Sequence, residues 1–124
     1  KTKGCILVGT NRFWEGVDLP GEMCEIVIIL KLPFFVPDDP VFKKRCDRLN
    51  EEGKNGFLYY SLPYAMIRLK QGIGRLIRTK DDYGDIYILD ERIKKKRYGQ
   101  NIVNAFFVKP EFIEYNDFLK RSSL

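Results

Sequence analysis

Arg68, Gln71, Arg75 and Arg78 follow one another at spacings of three, four and three, so on an α-helix they fall in one narrow arc. The chemistry open to that arc is anion binding. Guanidinium groups offer planar forks of donors that suit phosphate oxygens, and two of them one turn apart reach the same phosphate group. Gln71 adds a neutral donor and acceptor in line with them. From Ser61 to Lys80 there are five Lys or Arg and no Asp or Glu. A solvated face ordinarily mixes signs to gain i,i+4 pairs, so an acid-free face leaves its donors to a partner. The competing reading is a solvated charged face opposite a buried stripe. Gly72 and Gly74 each cost about 1 kcal/mol against alanine in a helix interior, and they are expected to thin the surface beside the arginines so that a ligand or backbone comes close.

The element that must carry this row is a helix over about residues 61–79. Leu62, Ala65, Met66, Leu69, Ile73, Leu76 and Ile77 form its apolar stripe, with Ser61 expected as the N-cap and Pro63 tolerated in the first turn. A second helix is expected over about 40–52, closed by "EEGKNG" (51–56). Three β-branched runs, Cys5 to Val8, Ile26 to Leu32 and Ile86 to Leu89, are nearly continuous, as in strands covered on both faces of a parallel sheet. Strands alternating with helices predict an open α/β sheet. "LPFFVPDDP" (32–40) cannot continue a sheet and leaves the carboxyl end of the second strand as an irregular loop, where functional groups of such sheets gather. "KDDYGD" (80–85) turns into the third strand. Ile102 to Val108 is expected as a fourth strand, followed by an amphipathic tail with Phe112, Ile113, Tyr115, Phe118 and Leu119 on one face.

Bulk properties narrow the function. With 44% hydrophobic and 31% charged residues the chain has a globular composition, and its net charge of +5, clustered rather than spread, favours an anionic partner. There is no histidine, which removes Ser-His and Cys-His nucleophilic schemes and the commonest metal ligand. Cys5, Cys24 and Cys46 have neither disulfide nor zinc-knuckle spacing, so no metal is expected and a reducing intracellular setting, the cytoplasm, fits best. The longest apolar stretch, Ile26 to Leu30, is too short to span a bilayer. A start at Lys1-Thr2-Lys3 that runs straight into an apolar segment is expected of an excised piece or of a processed terminus.

"VGTNRFWEGVDLPGE" (8–22) follows the first strand. Gly16 and Gly21 suit tight turns, and Trp14 stands beside Glu15 and Asp18, where a large aromatic packs in the core or stacks on a ligand. The two carboxylates, three apart and without a third ligand, are better explained as a surface turn than as acid/base or metal chemistry.

Gln71-x-x-Gly74-Arg75-x-x-Arg78 resembles motif VI of superfamily-two helicases, and residues 8–22 resemble motif V, in the form of the DinG and XPD-like branch. The same branch shows "LPF" before a proline-rich loop, the run "YSLPYAMIRLKQGIGRLIR" at 60–78, and "ILDER" at 88–92. The ordered match covers most of residues 4–108. It implies a RecA-like fold with a mostly parallel sheet, in which residues 1–124 are an incomplete C-terminal helicase domain. ATP would bind in a cleft against an N-terminal RecA-like domain of the same protein. Arg78 resembles the arginine finger and Arg75 its companion, a device worth roughly 10³–10⁵ in rate. Gly16, Asp18 and Gln71 would approach the nucleotide. Thr10 and Asn11 would touch the nucleic-acid backbone, with Arg12, Trp14, Arg68 and Lys70 as further contacts to single-stranded or forked DNA. The run Lys94 to Arg97 either joins that track or is a solvated helix end. The resemblance implies 5′→3′ movement on DNA in replication or repair.

Neither a Walker A loop nor a D-E-A-H-type motif is present, so the groups that cradle the β-phosphate and hold Mg²⁺ would lie in the partner domain. The iron–sulfur cluster of some members would lie there too, and not among the three cysteines here. Two alternatives remain beside a motor: a nucleic-acid-binding module that keeps a degenerate helicase fold, and the DNA-positioning part of a helicase-like exonuclease.

Overall fold

A computed structural model describes residues 7–10, 25–36, 38–74, 84–106 and 111–122. The chain divides into two units, Lys1–Glu91 and Arg92–Leu124.

In the first unit, strand β1 (Ile26–Ile29) pairs in parallel with β2 (Asp85–Ile88), Ile26 opposite Asp85 and Ile29 opposite Ile88. The parallel α/β arrangement agrees with the apolar runs, but the expectation of strands covered on both faces does not. Ile29 is buried, whereas Ile26, Ile28 and Leu30, which alternate with it, are 54%, 59% and 68% exposed. Successive side chains of a strand point to opposite faces, so one face of β1 is packed and the other is open among the described residues. Leu7 and Val8, expected at the end of a first strand, are exposed and outside any strand.

Beyond β1 the chain enters the proline-rich loop, where Pro33 is fully buried. Asp39 then caps helix α1 (Pro40–Glu51), its Oδ1 accepting from the Phe42 N–H at 2.9 Å, and Pro40 occupies the first turn, where a missing N–H costs nothing. Gly53, at φ 76, ends that helix in the left-handed conformation glycine tolerates. Gly56 then lies against the backbone of Cys46, too close for any Cβ.

Helix α2 (Leu62–Ile73) is not capped by the Ser61 side chain, contrary to expectation. Ser61 has helical dihedrals, makes no capping bond, is buried, and closes a π-helical turn at Phe57–Ser61. Pro63 has no N–H to give, so the α-helical ladder lacks a donor at this junction, and Leu62 N–H reaches back five residues to the Phe57 carbonyl. The capping role falls to Asn55, whose Oδ1 accepts from Leu58 N–H at 3.0 Å.

In the second unit, a short helix α3 (Arg92–Lys95) leads into α4 (Arg97–Asn104), and α5 (Tyr115–Ser122) follows. The expected fourth strand is therefore overturned, because Ile102 to Asn104 lie inside α4. Gly99 and Ile102 are buried and Val103 and Phe106 half-buried, a spacing of three, four and seven that belongs to a helix. Gly99 packs against the Ile93 carbonyl, where a side chain has no room. Of the expected tail face, Phe112, Ile113 and Leu119 are exposed. The basic run Lys94 to Arg97 is exposed across the α3–α4 junction, with Lys94 paired to Glu114 at 3.0 Å, which favours its reading as a solvated helix end.

Candidate functional site

Helix α2 sorts its side chains as its period requires. Leu62, Ala65, Leu69 and Gly72 are buried, with Leu69 fully enclosed, while Lys70 and Gln71 face solvent. Gln71 thus keeps its amide available on the side opposite the packed stripe. Lys70 stands on the other flank from Arg68, because two residues turn about 200° around a helix. Gly72 requires a correction: it lies in the buried stripe, so its missing side chain serves packing rather than access beside the row. Gly74 is half-buried at the C-terminus of α2, its N–H donating to the Lys70 carbonyl at 2.8 Å.

Arg68 belongs to a different neighbourhood from the one its spacing suggests. Its Nε donates to Tyr64 Oη at 2.9 Å and its guanidinium carbon stands 5.2 Å from the Tyr64 ring centroid. Long side chains on helices lean toward the N-terminus, so Arg68 reaches back one turn rather than forward to Gln71. Thr10 is exposed and in no regular element. Asn11, Arg12, Trp14, Gly16, Asp18, Arg75 and Arg78 lie outside the described residues.

What spacing alone missed is the aromatic assembly that Arg68 joins. Phe35 from the proline-rich loop stacks on Tyr64 of α2 (3.7 Å, 23°) and on Phe42 of α1 (4.4 Å, 29°). Tyr60, one turn before Tyr64, packs against Phe42 at 5.4 Å. Arg45 of α1 donates from Nη1 to Tyr60 Oη at 2.8 Å, with its guanidinium carbon 5.4 Å from that ring. A signal was present, since Tyr60, Tyr64 and Arg68 continue the row at intervals of four. Burial, helped by Tyr60 and Asp39 nearby, pushes the Tyr64 hydroxyl above its ordinary range, so it stays protonated near neutral pH.

At the ends of the strands, Asp90 is buried and its Oδ2 accepts from the Leu32 N–H at 2.8 Å, tying the start of the loop to the residues after β2. Burial, with Asp47 a smaller cause, raises the Cys46 thiol, and its Sγ–H faces the Gly56 carbonyl at 3.6 Å, the setting of an inert thiol. Among the described residues no group of three His, Cys, Asp or Glu could hold a metal ion, and no helix is long and apolar enough to cross a membrane.

Over residues 1–108 the chain matches the helicase C-terminal domain. It is 49% identical over 100 residues to "3'-5' exonuclease DinG" of Bacillus subtilis, covering 81% of this chain and 11% of that protein. It is 41% identical over 114 residues to "ATP-dependent DNA helicase DinG" of Photobacterium profundum, covering 92% of this chain and 16% of the relative. "ATP-dependent DNA helicase YoaA" of Escherichia coli is 49% identical over 94 residues, which are 76% of this chain and 15% of that protein. The chain thus spans between 11% and 16% of the length of these relatives. With most of its length matched in order, from the first apolar run through the Gln71 row and past Asp90, the chain belongs to the helicase C-terminal domain family.

Proposed function

We propose that this chain is part of the C-terminal RecA-like motor domain of a DinG-like, ATP-dependent DNA helicase that works in the bacterial cytoplasm and moves 5′→3′ on single-stranded DNA. The observation that supports this reading most directly is the outward position of Gln71. The one described donor of the Gln71-Arg75-Arg78 set is left to solvent by a helix that is well packed on its other side.

The residues fit an anionic nucleotide in their chemistry, since Ser61 to Lys80 holds five cations and no acid to claim them. Gln71, Arg75 and Arg78 would hold its phosphates from this side, with Gly16 and Asp18 approaching from the segment after the first apolar run. Bound ATP with Mg²⁺ supplies a phosphoryl group for transfer to water. Arg78 stabilises the charge that develops on that group, and Arg75 orients it. The groups that hold Mg²⁺ belong to an N-terminal RecA-like domain, as does any iron–sulfur cluster. Leu62, Ala65 and Leu69 fix the rotation of α2 and so the direction in which Gln71 points.

In the longer protein that contains this chain, Arg78→Ala should lower DNA-stimulated ATP turnover at least ~10²-fold while leaving DNA affinity nearly intact, because the arginine acts mainly in the transition state. Loss of DNA binding with retained turnover would overturn the assignment. The 124-residue chain alone should hydrolyse no ATP.

A second reading is favoured by the name of the Bacillus subtilis relative: the helicase-like part positions DNA for a 3′→5′ exonuclease. Degradation of a 3′ end that is indifferent to ATP and to Arg78→Ala would support it over the motor.

A further inference from the structure

The proline-rich loop is held at both ends by an aspartate that accepts a backbone N–H. At its start, beyond the last ladder bond between the strands (Leu89 N–H on the Ile29 carbonyl, 2.9 Å), Asp90 Oδ2 takes the Leu32 N–H at 2.8 Å. At its end, Asp39 Oδ1 takes the Phe42 N–H at 2.9 Å. Asp90 is buried, and a buried carboxylate is costly unless its oxygens are bonded, so this side chain is committed to holding its neighbours.

What the Asp90 bond delivers is two consecutive rings. Leu32 and Pro33 are buried, and the Phe34 N–H turns back to the Leu32 carbonyl at 2.8 Å, so the chain leaves that bond in a fixed direction. Phe34 stacks on Phe57 of the π turn (5.6 Å, 28°), and Phe35 stacks on Tyr64 of α2 (3.7 Å, 23°) and on Phe42 of α1 (4.4 Å, 29°). Two residues lie between Leu32 and Phe35, a span too short to absorb a shift of one without moving the other. Helix α2 carries the position onward, because Tyr64 and Gln71 are joined by about 10 Å of helix at 1.5 Å per residue. The buried stripe fixes the rotation of α2, and the rings fix where it stands against the loop and α1.

We infer that Asp90 is a positioning residue for α2: by holding Leu32 it seats Phe34 and Phe35 against Phe57 and Tyr64, and so sets the place at which Gln71 meets its ligand. The inference rests on the proposed function for that ligand, a nucleotide phosphate, and adds a residue that acts on it without touching it. The carboxyl ends of the strands are where an α/β sheet gathers its functional groups. Asp90 makes that end of the β1–β2 pair a support for the helix.

The test has two parts, with thermal unfolding recorded for every variant. In the 124-residue chain, amide NMR reads Gln71 directly. Asp90→Ala and Phe35→Leu should shift the Gln71 amide resonances in the same direction, and the double variant should shift them no further than the larger single change, because both release the same contact. Lys54→Ala, at an exposed lysine paired with Glu52, should leave them in place. In the longer protein, Asp90→Ala should lower kcat for DNA-stimulated ATP hydrolysis about 10-fold with KM for ATP within about 2-fold, since a displaced donor loses its grip mainly on the transition state. Asp90→Asn keeps an acceptor oxygen and should lower kcat only about 3-fold. Adding Phe35→Leu to Asp90→Ala should cost no more than about 2-fold beyond the worse single variant. Should Asp90→Ala not fold, Asp90→Asn takes its place in both cycles with the same non-additivity expected. Gln71 shifts that add, or that are absent in the Asp90 variants, would overturn the inference and leave the motor reading untouched. Displaced Gln71 resonances with wild-type turnover would overturn the positioning role. The Arg78→Ala measurement judges the motor reading separately.

Discussion

Along α2, Leu62, Ala65, Leu69 and Gly72 are buried while Lys70 and Gln71 face solvent; along β1, Ile29 alone of four apolar residues is buried while Ile26 and Ile28 beside it are more than half exposed. Both segments are apolar, yet among the described residues the helix has its cover and the strand pair has cover on one face only. A helix displays one stripe and needs one neighbour, and the stripe of α2 is buried, with Phe35 of the loop stacked on Tyr64 of the same helix. A sheet has two faces and needs a layer on each. Only one face of the β1–β2 pair has its layer among the described residues, and the chain spans no more than 16% of the relatives reported above. The open face carries Ile26, Ile28, Leu30 and Leu89.

The sharpest way to break this contrast is Leu69→Ala. Leu69 is fully buried at the centre of the stripe, and such truncations cost about 2–5 kcal/mol, a large share of the stability of a small domain. Urea unfolding should show the whole first unit losing that amount. A loss under about 1 kcal/mol would mean that α2 is not the packed element on which the Gln71 row is built.

The strand pair is held at its ends rather than by two covered faces, and Asp90 tests that. Its buried carboxylate takes the Leu32 N–H, and removing it with Asp90→Ala leaves a buried donor without this partner, a cost of about 1–3 kcal/mol. Asp90→Asn keeps an acceptor oxygen and should recover about half of the loss. Hydrogen exchange at the Leu32 amide should accelerate in the alanine variant before the amides of α2 do.

These contrasts explain what could be read from residue order. The bounds of α1 were legible to one residue, because Asp39, Pro40 and Gly53 each act through local geometry. The stripe of α2 was legible because the helical period assigns every residue a direction. The pairing of β1 with β2 was legible in kind, while their coverage was not, since a continuous apolar run records the capacity for burial on two sides and not its use. The π turn escaped because Ser61 before Leu62-Pro63 has the composition of an N-cap, and only the Gly56–Cys46 contact and the buried position of Ser61 disclose a helix already under way. Residues 102–108 taken alone read as a strand, whereas the Gly99 to Phe106 spacing, which includes the start of α4, carries the helical period. On α2, the exposure of Gln71 opposite the packed stripe was legible. The bracing of Arg68 was not, because it depends on Phe35 arriving from a loop with no period of its own.

The smallest effect discriminates best. Ile28→Thr substitutes a β-branched residue of high strand propensity, so the backbone preference is kept and only apolar surface is lost. Ile28 is 59% exposed in this chain, and the change in unfolding free energy should stay within about 0.5 kcal/mol. In the longer protein the same substitution should cost about 1–3 kcal/mol if a further layer covers that face, because the methyl groups removed would then be buried ones and the hydroxyl would lack water. Parallel urea titrations of the two proteins measure the difference directly. Equal, small losses in both would mean that this face stays open in the longer protein, and the RecA-like placement of β1 inside a larger sheet would fall with it.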